Sequence, residues 1–514
     1  MKRRLLPKTA ALFLGTCVSV PALAQDANAP ANKDEAKQAI SLGLAPGTPQ
    51  VGALPGGVTP AYGQSAADEK EWRFDFHGFF TMPVRAGFNK RSGAATTEQH
   101  TGVLHAPPVV PDYRDSFTYT TVVPNPYVQL NFSYGNSVVT GNVIILSRTA
   151  TTAASFYNPP DQSGISDAFL NFRLPNLAKN THLEINVGAF TNRYGVMGEY
   201  DEGKYATPVI ARVNGVGENI IAKFGFGNAV VELEQGIQGQ LDKFPTDTLP
   251  SGWNNFGDPN AGTGFVNHLH AGFGYLSTAA LGLHYLSAWT QDDRASQGIQ
   301  PDGKLGILGA DLRLTTGNIG HLYVGAARTS ATNARSIGRI AEVLNTGSGK
   351  GLMDNYLGPN SGGTGTLTTL GLQYDLSVVS VLRYPQIFAG DSPDFVLSLF
   401  GMQTHVTSND PAYTGVNKLK LGGEGGVSLF KYLAASLRFD RVMPNGGDSS
   451  QAFSIVSPRI IFRSKWQAHD QVVLQYSHWF YGDNVVVRSG YPAVPDPTIH
   501  PDRDMISLSA SMWW

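Results

Sequence analysis

The residues with chemical potential are few and scattered. The chain has twelve histidines, and His268 and His270 would share one strand face. An H-x-H pair binds a metal only with a third ligand, and none is signposted nearby. Gly347-Ser348-Gly349-Lys350 has the look of a phosphate loop, but Leu344 stands where a glycine is needed and Gly351 where a hydroxyl is needed. No G-x-S-x-G marks a nucleophile, and Cys17 is the one cysteine. The expectation is no enzyme, no cofactor and no metal. Two groups remain that could act on a passing solute. The segment 194–216 carries Glu199, Asp201 and Glu202, then Lys204 and Arg212, with Arg193 at its edge and Tyr194, Tyr200 and Tyr205 as flat faces. Arg438, Arg459, Arg463 and Lys465 lie on or near the polar faces of neighbouring segments. Facing charges of opposite sign set a transverse field that orients a dipolar solute.

The elements that must carry these residues alternate apolar and polar side chains with period two from Glu71 onward. In Ala168–Leu174 one face is Ala, Leu, Phe, Leu, and the other holds Asn171 and Arg173. Leu183–Val187, Leu308–Leu314 (Asp311 and Arg313) and Ala435–Phe439 (Ser436 and Arg438) repeat the pattern. Connections alternate between short ones, such as Gly135-Asn136 and Gly227, and long ones, such as 90–125, 194–216, 241–262, 334–365 and 485–502. That asymmetry predicts an all-β, closed antiparallel transmembrane β-barrel of about 18 strands, or about 16 if a pair near 378–392 is miscounted, with short periplasmic turns and long external loops. Both chain ends then lie on the periplasmic side. The competing fold is a soluble secreted β-protein, in which the two faces would be core and solvent.

The termini agree with export. Lys2, Arg3, Arg4 and Lys8 precede an apolar run, Thr9–Val20, and Ala22-Leu23-Ala24 offers a cleavage site, so residues 1–24 read as a signal peptide. Cys17 leaves with it, which excludes disulfides from the mature chain. Residues 25–70 are rich in Ala, Pro, Gly and Gln and read as a flexible periplasmic lead. Residues 71–514 make the barrel, with 194–216 as its candidate constriction loop. Charged residues are 15% of the chain and its net charge is −2, which gives no basic surface for nucleic acid.

Met505–Trp514 puts Ile506, Leu508, Ala510, Met512 and Trp514 on one face and serines 507, 509 and 511 on the other. A last strand ending in an aromatic looks like the signal that outer-membrane barrels present to their insertion machinery, and pairing with the first strand leaves no edge in lipid. Phe74-Asp75-Phe76-His77-Gly78-Phe79, the final Trp513-Trp514, and Val187–Tyr194 followed by Gly217-Glu218-Asn219-Ile220 together resemble the maltoporins and related sugar-selective porins. The resemblance implies an outer-membrane homotrimer that passes small hydrophilic solutes, sugars or oligosaccharides among them. The maltoporin aromatic ladder has no residue-by-residue match here. The expected partners are outer-membrane lipid, the insertion machinery and such solutes. The alternatives are a barrel enzyme acting on lipid and an occluded barrel with an adhesion or structural role.

Overall fold

The computed structural model describes residues 72–90, 127–147, 163–194 (without 176 and 179), 211–240, 263–275, 279–291, 302–315, 321–337, 341–343, 352–377, 394–430, 432–462, 469–482, 487–489, 494–496 and 502–513. The strands in chain order are β1 (Arg73–Lys90), β2 (Tyr127–Gly135), β3 (Val139–Ser147), β4 (Ser163–Pro175), β5 (Thr181–Tyr194), β6 (Ala211–Phe226), β7 (Ala229–Gln240), β8 (Thr263–Tyr275), β9 (Ala279–Gln291), β10 (Lys304–Thr315), β11 (His321–Thr332), β12 (Ala341–Glu342), β13 (Gly365–Ser377), β14 (Asp394–Ser408), β15 (Asn417–Phe430), β16 (Leu433–Met443), β17 (Phe453–Phe462), β18 (His469–Tyr481), β19 (Val487–Ser489), β20 (Val494–Asp496) and β21 (Asp502–Trp513). The only helical pieces among the described residues are short 3-10 or π turns between 334 and 361 and at 449–451.

Strands β1 to β11 pair antiparallel with their sequence neighbours, β11 pairs with β13, and the order continues to β18. β18 then pairs with β21, and β21 pairs with β1 from Phe79↔Trp513 to Lys90↔Asp502. The pairing order therefore returns to its first strand. The β19–β20 hairpin stands apart from this sheet.

Local chemistry sets the tight turns. Phe226 pairs with Ala229, and the intervening Gly227 takes φ +62°, the positive value a two-residue hairpin needs. At the β2–β3 turn the Asn136 side chain accepts from the N–H groups of Val138 and Val139, both at 2.9 Å. One boundary differs from the expectation. β6 begins at Ala211 rather than 217, because 211–216 continue its ladder to β5.

Candidate functional site

The polarity of the two faces is the reverse of a soluble protein. On β9 the buried Ala280, His284, Leu286 and Ala288 alternate with the exposed Leu281, Leu283, Tyr285 and Trp289. On β16 Ser436, Arg438 and Asp440 are buried while Leu437 and Phe439 are exposed. On β18 Gln475 and Ser477 are buried while Leu474 and Tyr476 are exposed. A soluble monomer rarely exposes an apolar patch beyond a few hundred Å²; here the apolar face runs from strand to strand. Exposed aromatics mark the short-turn ends of the strands: Trp72 and Tyr134 (ring centroids 5.2 Å apart), Phe226, Tyr275 and Tyr432.

The buried face carries two polar networks. The first crosses β4 to β10. Asn171 donates to Glu184 and to Asn186, both at 2.6 Å. Lys223 lies 3.3 Å from Glu232, and His268 lies 2.7 Å from Glu234. His270 and His284 share a hydrogen bond of 3.1 Å between their Nδ1 atoms, with their rings 4.4 Å apart. Glu232 flanks this pair at 3.6 Å and Asp311 at 3.3 Å. Glycines make room for the rings. A Cβ at Gly236 would lie 2.3 Å from His268, and one at Gly282 would lie 2.3 Å from Asp311 and 2.8 Å from His284.

The second network crosses β15 to β18. Arg459 binds Glu424 at 3.0 and 3.2 Å and donates its Nε to Gln475 at 2.6 Å. Ser436 donates to Glu424 at 2.7 Å. Arg438 binds Asp440 at 2.8 and 3.2 Å, and Ser457 meets Ser477 at 2.8 Å. Each arginine thus meets a carboxylate on this wall, as buried charges require.

Towards the long connections the interior turns apolar. The cause is the segment between β11 and β13, which folds inward. Its β12 pairs with β6 (Ala341↔Val213, Glu342↔Arg212), five strands along the pairing order from β11. Ala334, Ile337, Val343, Leu352, Tyr356 and Leu357 pack with Leu286, Ile307, Met402, Val442, Ile455 and Trp479 in one buried cluster. The turn after β14 clamps it. Ser408 donates to the Leu357 carbonyl, Asp410 accepts from the Asn360 N–H at 3.1 Å, and the Lys418 ammonium sits 5.2 Å from the Tyr356 ring centre.

Of the residues singled out from sequence, Arg438 and Arg459 stand on the buried face, held by carboxylates on the same wall. Tyr194 and Arg193 end β5, Arg212 belongs to β6, and Arg193 and Arg212 are backbone partners. Glu199, Tyr200, Asp201, Glu202, Tyr205, Arg463 and Lys465 lie outside the described residues, as does the stretch 378–392. His268 and His270 point at glutamates, and no group of three or more ligating side chains among the described residues is arranged to hold a metal. Sequence reading missed the His270–His284 pair and the inward fold. A signal for the second existed: Ile337, Ile340, Val343, Leu344, Leu352, Met353, Tyr356 and Leu357 give 337–357 far more apolar side chain than an external loop requires.

The architecture defines an all-β antiparallel sheet protein with a largely apolar exposed face and a buried face that carries polar networks and, towards the long connections, an apolar cluster. No known protein family matches the chain, and no curated protein matches it in sequence. Solved outer-membrane proteins are similar in structure. The Escherichia coli protein Wzi, described as a carbohydrate-binding β-barrel involved in group 1 capsule assembly, is 9% identical with a TM-score of 0.42, over 86% of this chain and 84% of its own. OccD3 (OpdP) of Pseudomonas aeruginosa is 8% identical with a TM-score of 0.41, over 91% and 97%. The outer membrane channel DcaP of Acinetobacter baumannii is 9% identical with a TM-score of 0.36, over 87% and 99%.

Proposed function

We propose that the chain is an outer-membrane porin: a closed transmembrane barrel of the long strands that passes small hydrophilic solutes by diffusion. The observation that carries this reading is the inverted polarity. Leucine and aromatic side chains are exposed on the outside of most described strands, β11 with its exposed Ala326, Arg328 and Ser330 being an exception, while Asn, Glu, His, Arg and Ser side chains make up much of the inside. In water that arrangement wastes the hydrophobic effect; in a bilayer it satisfies it. The pairing of β21 with β1 removes the unpaired edges that lipid does not tolerate. Within the same reading, residues 1–24 are an export signal, 25–70 a periplasmic lead, and 71–514 the barrel, delivered to the insertion machinery by Met505–Trp514. The constriction is assigned to two segments: 194–216, whose last six residues belong to β6, with its acidic and tyrosine side chains, and the described parts of 333–364, which fold inward.

The solute class follows from the paired charges. Arg438 with Asp440, Arg459 with Glu424 and Lys223 with Glu232 cancel much of the wall's field. That suits neutral polar solutes, and the maltoporin-like motifs at Phe74–Phe79 and Trp513-Trp514 favour sugars among them. A homotrimer belongs to the same expectation.

A second reading has its own observation. The inward-facing Asn219, Glu232, Asp440 and Ser457 have no exposed surface, and an apolar segment occupies the interior beside the long connections. This favours a barrel that is occluded as it stands. Planar-bilayer conductance of the purified protein separates the two. Open-channel steps that candidate sugars interrupt support the sugar porin. Steps that no sugar affects leave a general porin. Inserted protein without steps supports the occluded barrel.

A further inference from the structure

On the exterior of β16, β17, β18, β21 and β1 the residue type changes near the long-connection end. Leu437, Phe439, Ile460, Leu474, Ile506 and Leu508 are exposed and apolar. Beyond them the same outer face carries Arg441, Ser454, Tyr476, His478, Asp504 and Asn89, with the exposed aromatics Phe88 and Phe480 among them. Such a change marks where an apolar band ends and the headgroup layer begins.

This polar group is built rather than scattered. Asp504 is 5% exposed although it stands on the outer face. It accepts hydrogen bonds from Asn89 at 2.7 Å, from His478 Nδ1 at 2.7 Å and from the Tyr476 hydroxyl. The carboxylate therefore ties β18, β21 and β1 together and fixes the His478 ring by one nitrogen. A third of the His478 side chain stays exposed, and the ring packs edge-on against Phe480 with centroids 4.5 Å apart. The edge with Nε2 is the one left for a ligand. On the next two strands Arg441 lies across Ser454, with Nη1 3.3 Å from the hydroxyl oxygen.

We propose that Arg441, Ser454 and His478 form a rim site for the phosphate of an anionic membrane lipid. The proposal rests on the membrane-barrel reading. Arg441 and Ser454 stand in one cross-strand row and His478 in the next, level with Phe439 and Val456. Two strand spacings of roughly 9–10 Å and two residues of roughly 3.3 Å each put the Arg441 and His478 backbones about 12 Å apart, a gap that an arginine side chain and a phosphate group fill together. The guanidinium offers two parallel donors to phosphate oxygens, the hydroxyl a third and the imidazole a fourth. The exposed Leu437, Phe439 and Leu474 lie where the acyl chains would run. Charge complementarity selects an anionic headgroup, and the adjoining apolar face selects a lipid over free phosphate.

The test is native mass spectrometry of the detergent-purified full-length protein titrated with dioleoyl phosphatidic acid, dioleoylglycerol or inorganic phosphate. The expected result is a saturable phosphatidic acid adduct that dioleoylglycerol does not form and that inorganic phosphate does not displace. Arg441→Gln with His478→Gln should weaken it at least tenfold, and Arg441→Lys should retain most of it. Each single glutamine variant gives the same reading, with a smaller effect, if the double variant does not fold. Equal adducts in folded variant and parent, or equal adducts with dioleoylglycerol, overturn the site. Displacement by inorganic phosphate overturns the lipid and leaves an anion site. Reconstitution into liposomes separates this from the underlying reading: protein that does not insert refutes the barrel, whereas inserted protein with unaltered adducts refutes only the rim site.

Discussion

Replacing Arg459 with leucine tests whether the interior charges are partners or free groups facing a pore. The Glu424 side chain is 1% exposed and that of Arg459 4%. In the variant, Glu424 keeps Ser436 at 2.7 Å and loses both contacts to the guanidinium. Stranding one member of a buried ion pair costs roughly 3–5 kcal/mol. That is about two to four powers of ten in the folding constant, at about 1.4 kcal/mol each. The double variant Arg459→Leu/Glu424→Leu removes both charges and should recover most of the loss, since apolar replacement of a whole pair is often neutral. The assay is urea unfolding of the liposome-refolded protein, followed by tryptophan fluorescence and by heat-modifiable gel mobility. Reversal potentials across a planar bilayer give an independent readout. The single variant should shift preference toward cations, and the double should return it to that of the parent. A single-variant cost below about 1 kcal/mol, the range of exposed pairs, would refute the desolvated pair. A double variant no more stable than the single would refute the coupling.

Three further outcomes follow from the same geometry. Leu437→Arg should destabilise the inserted protein by roughly 2–4 kcal/mol if that position lies near the bilayer midplane, and a loss no larger in liposomes than in a lipid-free detergent control would contradict the outward face. Asp410→Ala removes the acceptor of the Asn360 N–H and should loosen the inward-folded segment, read as faster proteolysis within 333–364 and larger single-channel conductance; unchanged cleavage would count against the clamp. Asp448, on the connection between β16 and β17, accepts from the Ser450 hydroxyl and N–H and from Gln451, and these bonds hold its carboxyl below the usual carboxylate range. A lowered value stabilises the turn above the carboxyl's unfolded pKa, and that contribution disappears as pH falls through the folded one, so amide exchange at 448–452 should quicken on acidification and Asp448→Asn should remove the dependence.

The alternation along each strand was readable in the sequence, because side chains one residue apart fall on opposite faces whatever the rest of the chain does. Ala168–Leu174, Leu308–Leu314 and Ala435–Phe439 show it plainly, and each coincides with part of β4, β10 and β16. The Gly227 turn was equally legible, since its positive φ is a local need. The partners were not. Glu424 and Arg459 are 35 positions apart, and Asn89 and Asp504 are 415 apart. Nothing local says which polar side chain on one strand will face which on another, since that depends on register carried around the whole sheet. The destination of 333–364 was hidden for the same reason. Its apolar residues announce burial, but only the sheet supplies the inner faces of β9, β10 and β16 to β18 on which they are buried. The last strand shows both sides of the division. Its alternation and its place at the end of the chain are sequence properties; its pairing with β1, from Trp513 opposite Phe79 to Asp502 opposite Lys90, is decided by tertiary structure, because a strand edge left without a partner must find one.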